Sequence, residues 1–338
     1  MATADPFSEP FGTLFGDQIT VAHGSPTGYT YSGAAQPIAD ISLHPGSHAL
    51  HYGSTCFEGL KAHTQLDGSV AIFRLNDHIA RFRISIGLLR LPVPDTDLLR
   101  DMFMQAAVAN LEHTPPQPGS LYLRPTMLGM DPNIGAAAAP SETSLLYVLT
   151  SPVGDYFAGG IRPLSLLLET KTPRTTPHFG SIKSGANYVM ALGPTLDAKA
   201  AHGVDQVLFA TSGDTTETGA ANFFMVDDHR LITRHLDDSF LHGMTRSSII
   251  TMATDLGYTI EERSIPASEI LERTGDTEMF LSGTAAIIAP IGSLISESGT
   301  SKIGDGQPGP NTLKLRQALV DVQSGAAADP HNWRTTVE

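Results

Sequence analysis

The chain has 338 residues, 41% of them hydrophobic and 17% charged, with a formal net charge of −14. That length allows about two domains with cores of their own, and an acidic chain without a basic stripe argues against nucleic acid as a partner. A single cysteine, Cys56, rules out an intrachain disulfide and a cysteine-rich zinc site, and no apolar run reaches the roughly eighteen residues of a bilayer span.

The partners expected are therefore small molecules, with no membrane. The first twenty residues hold acids and prolines and no secretory pattern, so a cytoplasmic location is expected. Charged residues fall below the usual quarter or so, which points to surface covered by internal packing or by another subunit, and a homodimer or higher homo-oligomer is expected.

In chain order, the first fifteen or so residues are predicted to be poorly ordered. His44, His48 and His51 invite a metal reading, but Pro45 and Gly46 break the segment and no acid lies near, so hydrogen-bonding imidazoles in a loop are expected and no metal. Val70–Arg74 reads as a strand, and Asn76 as the N-cap of a helix carrying Ile79, Phe82, Ile86 and Leu89 at helical spacing, with Arg81 off that stripe. A second helix is predicted from about Asp97 to Glu112. Leu121-Tyr122-Leu123-Arg124 alternates apolar and polar, which puts Tyr122 and Arg124 on one face of a strand as a candidate pocket wall.

Leu145–Thr150 reads as a buried strand and Ser151–Gly160 as a linker rich in Gly and Pro. A strand at Leu164–Leu168, the Lys183 loop, a helix ending near Gly203, and strands at Gln206–Ala210 and Phe223–Val226 follow, the last closed by a turn at Asp227-Asp228. Thr245 is expected to cap a helix that Gly257 ends. The pattern is mixed α/β in two domains: a smaller N-terminal one over 1–150, the linker over 151–160, and a larger one over 161–338.

The lysines are few: Lys61, Lys171, Lys183, Lys199, Lys302 and Lys314. Lys199 and Lys314 fall on polar faces of predicted helices and Lys302 in a Gly/Ser/Pro-rich loop, where an ammonium stays solvated. Lys183, in Lys183-Ser184-Gly185-Ala186-Asn187-Tyr188, sits among small residues that let a planar ring approach the backbone. Glu217 follows 34 positions later (217 − 183 = 34) and opens Glu217-Thr218-Gly219-Ala220-Ala221-Asn222-Phe223-Phe224. An amine for a Schiff base and an acid to keep a pyridine nitrogen protonated are what pyridoxal phosphate requires. Taken alone, the lysine motif also reads as an ordinary loop lysine.

Gly243-Met244-Thr245-Arg246 offers a glycine, backbone N–H groups at a helix start and a hydroxyl, all suited to phosphate. Ser282-Gly283-Thr284-Ala285-Ala286 offers a second small-residue turn. Lys183-Ser184-Gly185 also fits an element of serine penicillin-binding enzymes. Their Ser-x-x-Lys nucleophile is missing, since Glu58, Leu168, Gly180, Leu196, Gly299 and Asn311 stand three before the lysines.

These motifs, in order with His51-Tyr52-Gly53, Phe57-Glu58-Gly59-Leu60-Lys61, Phe73-Arg74, Arg81 and Tyr122-Leu123-Arg124-Pro125, resemble the fold-type IV pyridoxal-phosphate enzymes over about His51 to Ile291. Within them the chain is most similar to the branched-chain amino acid aminotransferases. The resemblance implies the two-domain fold of D-amino acid aminotransferase-like proteins, and ping-pong transamination of leucine, isoleucine and valine with 2-oxoglutarate.

It also implies roles. Lys183 would form the Schiff base and move the proton, Glu217 would meet the pyridinium nitrogen, and Tyr188 the ring oxygen. Arg81, Met244, Thr245 and Thr284 would hold the phosphate. Tyr122 and the Thr284-Ala285 backbone would receive the substrate α-carboxylate, and Tyr52 and Phe57 would line the apolar pocket. Arg124 would meet the distal carboxylate of glutamate or serve in a structural ion pair.

Thr218, Ala186 and His242 depart from the family pattern, and the Cys-x-x-Cys of some animal members is absent. Class IV enzymes acting on D-amino acids, (R)-amines or aminodeoxychorismate, or in secondary metabolism, are the alternatives.

Overall fold

A computed structural model of the chain describes residues 5–157 and 160–338, so residues 1–4 of the predicted disordered start and residues 158–159 of the predicted linker lie outside it. By contacts the chain forms two compact units. The first is Met1–Ala158 with Ile182–Gly185 and Val322–Glu338, and the second is Gly159–Ser181 with Ala186–Asp321. The division thus differs from a single cut near 151–160. Main-chain bonds draw the later pieces back: Lys183 O accepts from Phe57 N at 3.0 Å, and Val337 N donates to Val70 O at 2.8 Å.

In the first unit, the described strands form a sheet in the order Arg334–Thr336, Val70–Phe73, Leu60–Thr64, Ser120–Gly129, Ser144–Val153, Gln18–Ser25, Gly28–Tyr31. Alternation along the strands decides its two faces. Leu60, Ala62, Leu121 and Leu123 enter the hydrophobic core with Ile79, Phe82 and Ile86 of helix Leu75–Leu88 and Leu99, Met102 and Phe103 of helix Thr96–Val108. Lys61 and Tyr122, register partners on adjacent strands, therefore lie on the other face.

The strand Ser144–Val153 runs through Ser151–Val153, which by composition reads as linker. Helix Leu75–Leu88 starts after Arg74, which is left-handed at φ 56°, and Asn76 lies inside it. Asp95 caps the next helix through a bond from Leu98 N at 2.7 Å; that helix stops at Val108, and Leu111–His113 is a separate 3-10 turn. Residues 5–16 are ordered by contacts that composition does not reveal: Pro6 O accepts from Gly154 N, Leu14 O from Ser151 Oγ, and the Phe11 ring meets Tyr122 edge-on at 5.2 Å. The imidazoles of His44, His48 and His51 bond to Gly46 N, Ser54 Oγ and Pro45 O.

In the second unit, the strand order is Gln206–Phe209, Leu164–Glu169, Ile287–Ser296, Glu278–Gly283, Asn222–Asp227, Arg230–Thr233, Thr259–Glu262. Phe224 and Phe280 stack across adjacent strands at 4.9 Å. Helix Met244–Asp255 is capped by Gly243, so Thr245 lies in its first turn and is not the cap. Among the described residues no helix is long and apolar enough to cross a membrane.

Candidate active site

Lys183 is held at both ends of its backbone: its N–H donates to Ser85 Oγ at 3.2 Å, and its carbonyl accepts from Phe57 N. Its Nζ lies 5.1 Å from the centre of the Phe57 ring, within cation–π range. Arg124 shares that ring, with Cζ 4.5 Å from its centre, and Nη2 donates to Tyr122 Oη at 3.1 Å. Lys183, Phe57, Arg124 and Tyr122 therefore form one cluster in the first unit.

Arg124 Nε is buried without a hydrogen-bond partner, and among the described residues Arg124 makes no ion pair with a carboxylate. Gly59 is needed here, because a Cβ on it would stand 1.8 Å from Tyr122 Oη. The Tyr52 hydroxyl donates to Ile134 O, and its ring packs on His48 at 4.9 Å. Arg81 is buried against Glu58, which accepts from Nε at 2.8 Å and from Nη2 at 2.5 Å.

Of the other lysines, Lys171 is exposed and paired with Glu297 at 2.6 Å, and Lys302 ends the strand Gly299–Lys302 and is not in a loop. Lys61, in contrast, is buried, so burial alone does not single out Lys183.

In the second unit, Glu217 is 1% exposed at an isolated bridge to Asn222. Its Oε1 accepts from Leu241 N at 2.9 Å and lies 2.8 Å from Arg174 Nη1, and Oε2 accepts from Asn222 Nδ2 at 3.2 Å. Asn222 also explains Gly243, where a Cβ would stand 2.1 Å from Asn222 Oδ1. The acid and the start of helix Met244–Asp255 are thus fastened together. That start carries no side-chain cap.

The Tyr188 ring lies 5.9 Å from Arg174 Cζ. Thr284 and Ala285 occupy the turn between Glu278–Gly283 and Ile287–Ser296, whose next carbonyl, Ala286 O, accepts from Arg316 at 3.0 Å. Ile287 follows at φ 64°, a costly conformation for a β-branched residue and one that clusters at functional sites. Ser282 Oγ is buried beside this turn without a partner among the described residues.

An amine and an arginine in one unit, and an acid, a phenol and an uncapped helix start in the other, are the donor set that pyridoxal phosphate needs, so the residues fit it. Reasoning from sequence misses Arg174, Asn222 and Arg316. Thr218 departs from the family pattern as a turn former, its hydroxyl bonding to Ala221 at both N and O at 3.1 Å. His242 Nε2 meets Asp237 O at 2.9 Å.

Comparison with known proteins bears on this set. The chain is 36% identical over 343 residues to a probable branched-chain-amino-acid aminotransferase of Streptomyces coelicolor, covering 97% of this chain and 92% of that protein. It is 37% identical over 311 residues to the branched-chain-amino-acid aminotransferase of Mycolicibacterium smegmatis, covering 88% and 83%. Its fold matches a solved branched-chain amino acid aminotransferase of Escherichia coli at a TM-score of 0.76, 27% identity, and coverage of 96% of this chain and 99% of that one. Another solved branched-chain amino acid aminotransferase, this one with pyridoxamine 5'-phosphate, matches at a TM-score of 0.80 and 26% identity, covering 96% of this chain and 100% of that one. The family model for amino-transferase class IV spans residues 55–294, and the chain belongs to the class IV, pyridoxal-phosphate-dependent aminotransferases.

Proposed function

We propose that the protein is a branched-chain L-amino acid:2-oxoglutarate aminotransferase. The observation that carries this reading is the Arg124 guanidinium lying against Phe57, in a chain similar to branched-chain aminotransferases along nearly its whole length. An apolar side chain can rest on the ring, while the distal carboxylate of glutamate finds the cation. When bound, pyridoxal phosphate supplies an aldehyde for the amine and a ring that accepts electrons from the carbanion.

Lys183 would supply the amine, and it would carry the proton to and from the substrate Cα. Its backbone bonds give the side chain a fixed pivot. Glu217, oriented by its donors, would hold a proton at the ring nitrogen, and Tyr188 would donate to the ring oxygen. Arg81, the Met244 and Thr245 amides and Thr284 take the phosphate. Tyr122 with the Thr284-Ala285 amides takes the α-carboxylate, and Tyr52 with Phe57 bounds the apolar pocket.

A homo-oligomer belongs to the same proposal, supported by Val189, Leu192 and Leu196, exposed at helical spacing on Gly185–His202. A cytoplasmic location rests on the sequence reading alone.

Borohydride reduction followed by peptide mapping tests the reading. The cofactor is expected on the peptide containing Lys183, and label on Lys61 overturns the assignment. Lys183→Ala should lose at least the roughly 10²–10⁴ in rate that acid–base help supplies. Leucine, isoleucine and valine are expected to outpace D-amino acids and (R)-amines as donors.

A further inference from the structure

Glu58 has no part in the reaction proposed above, yet its carboxylate is fully buried and grips Arg81 side-on through Nε and Nη2. Gly59 N donates to the same Oε1 at 2.8 Å, and His78 Nδ1 stands 3.2 Å from it. His78 and Arg81, three apart on helix Leu75–Leu88, reach Glu58 from one helical face. A guanidinium as enclosed as that of Arg81 is costly unless an anion compensates it.

Burial by itself would raise the Glu58 carboxyl, but Arg81 and then His78 hold it well below the usual carboxylate range. Burial pushes the His78 imidazole down, Glu58 partly offsets this, and Arg81 and Lys183 push it further down. The group is therefore balanced at neutral pH: one cation, one anion and a neutral imidazole.

We propose that Glu58 is the resident counter-ion of Arg81, a positioning residue that lets the phosphate site fold with its arginine charged and in place before the cofactor arrives. The proposal rests on the reading that Arg81 receives the phosphate. When phosphate binds, two anions share one guanidinium, so Glu58 weakens phosphate binding while keeping the empty site formed.

The test compares pyridoxal phosphate with pyridoxal, which lacks the phosphate, on cofactor-free protein. Thermal midpoints and spectroscopic titration are the readouts. Glu58→Gln keeps the size and one acceptor and removes the charge. It should lower the midpoint of the cofactor-free protein, and pyridoxal phosphate should restore more of that loss than pyridoxal does. The preference for pyridoxal phosphate over pyridoxal should rise about tenfold, the scale of one partly screened charge–charge interaction.

Equal loss with and without pyridoxal phosphate would make Glu58 an ordinary structural partner and overturn the proposal. A reduced preference for pyridoxal phosphate would overturn it too, by showing that orientation outweighs charge. Should Glu58→Gln fail to fold, Glu58→Asp retains the charge on a shorter arm. It should fold with an unchanged preference, and a raised preference overturns the proposal. In Arg81→Ala the preference should collapse. If it persists, the assignment of Arg81 to the phosphate fails, and the counter-ion role with it.

Discussion

Arg124 is steadied by the Phe57 ring along its plane and by Tyr122 Oη at its tip, which leaves Nε buried with no partner of its own. A buried donor in that condition favours an anion, and the distal carboxylate of glutamate is the one this reaction brings. Methionine at the position keeps the length and an apolar contact with the ring while removing the charge. Arg124→Met is expected to raise the Michaelis constant for glutamate or 2-oxoglutarate about thirtyfold, equivalent to about 2 kcal/mol, and nearly to spare leucine. Following each half-reaction by cofactor absorbance checks this. Equal loss for both donors would assign Arg124 to the α-carboxylate or to structure.

At the scale of elements, the start of the strand Leu60–Thr64 is set by its approach to Ser120–Gly129. Gly59 lies under the Tyr122 hydroxyl, and a Cβ there would also come within 2.7 Å of Tyr122 Cζ. Tyr122 is packed by Phe11 and bonded to Arg124, so its ring cannot step aside freely. Gly59→Ala should displace the phenol and lower kcat/KM for leucine and glutamate alike, on the order of a hundredfold, as misplacement by about 1 Å can do. Replacing Tyr122 by Phe removes the closest atom, so the thermal midpoint lost to Gly59→Ala should be smaller in a Tyr122→Phe background. Additive losses in that double-mutant cycle would place the conflict elsewhere.

For the whole molecule, the buried histidines on and near the sheet contribute to the response to acid. Burial, and after it the neighbouring Lys61, pushes His63 down to about 3, whereas an unfolded histidine takes its proton near 6.5. Over that window the unfolded chain binds more protons, so stability is full above pH 6.5 and falls as pH drops below it. One such group costs about 2 kcal/mol between pH 7 and pH 5. His78, also pushed down, acts with the same sign. His63→Gln, neutral throughout, should therefore show a smaller drop in thermal midpoint from pH 7 to pH 5 than the unaltered protein. An unchanged slope would mean that His63 is protonated in the folded chain.

What the sequence determined by itself was whatever repeats locally or is scarce. Alternation in Leu121-Tyr122-Leu123-Arg124 put Tyr122 and Arg124 on one face because side chains alternate along any strand, and the hydroxyl–guanidinium bond follows from it. The spacing of Ile79, Phe82 and Ile86 showed a helix for the same kind of reason. Six lysines and one ordered set of motifs were enough for the family. Only the tertiary structure decided how buried charges are matched. Arg174 meets Glu217 from 43 positions away (217 − 174 = 43) and Arg81 meets Glu58 from 23 (81 − 58 = 23). The worth of such a pair depends on desolvation and on which strands lie side by side, neither of which a local pattern carries. Residues 5–16, expected to be poorly ordered, are held by carbonyls and a phenylalanine that meet Ser151, Gly154 and Tyr122 across more than a hundred residues.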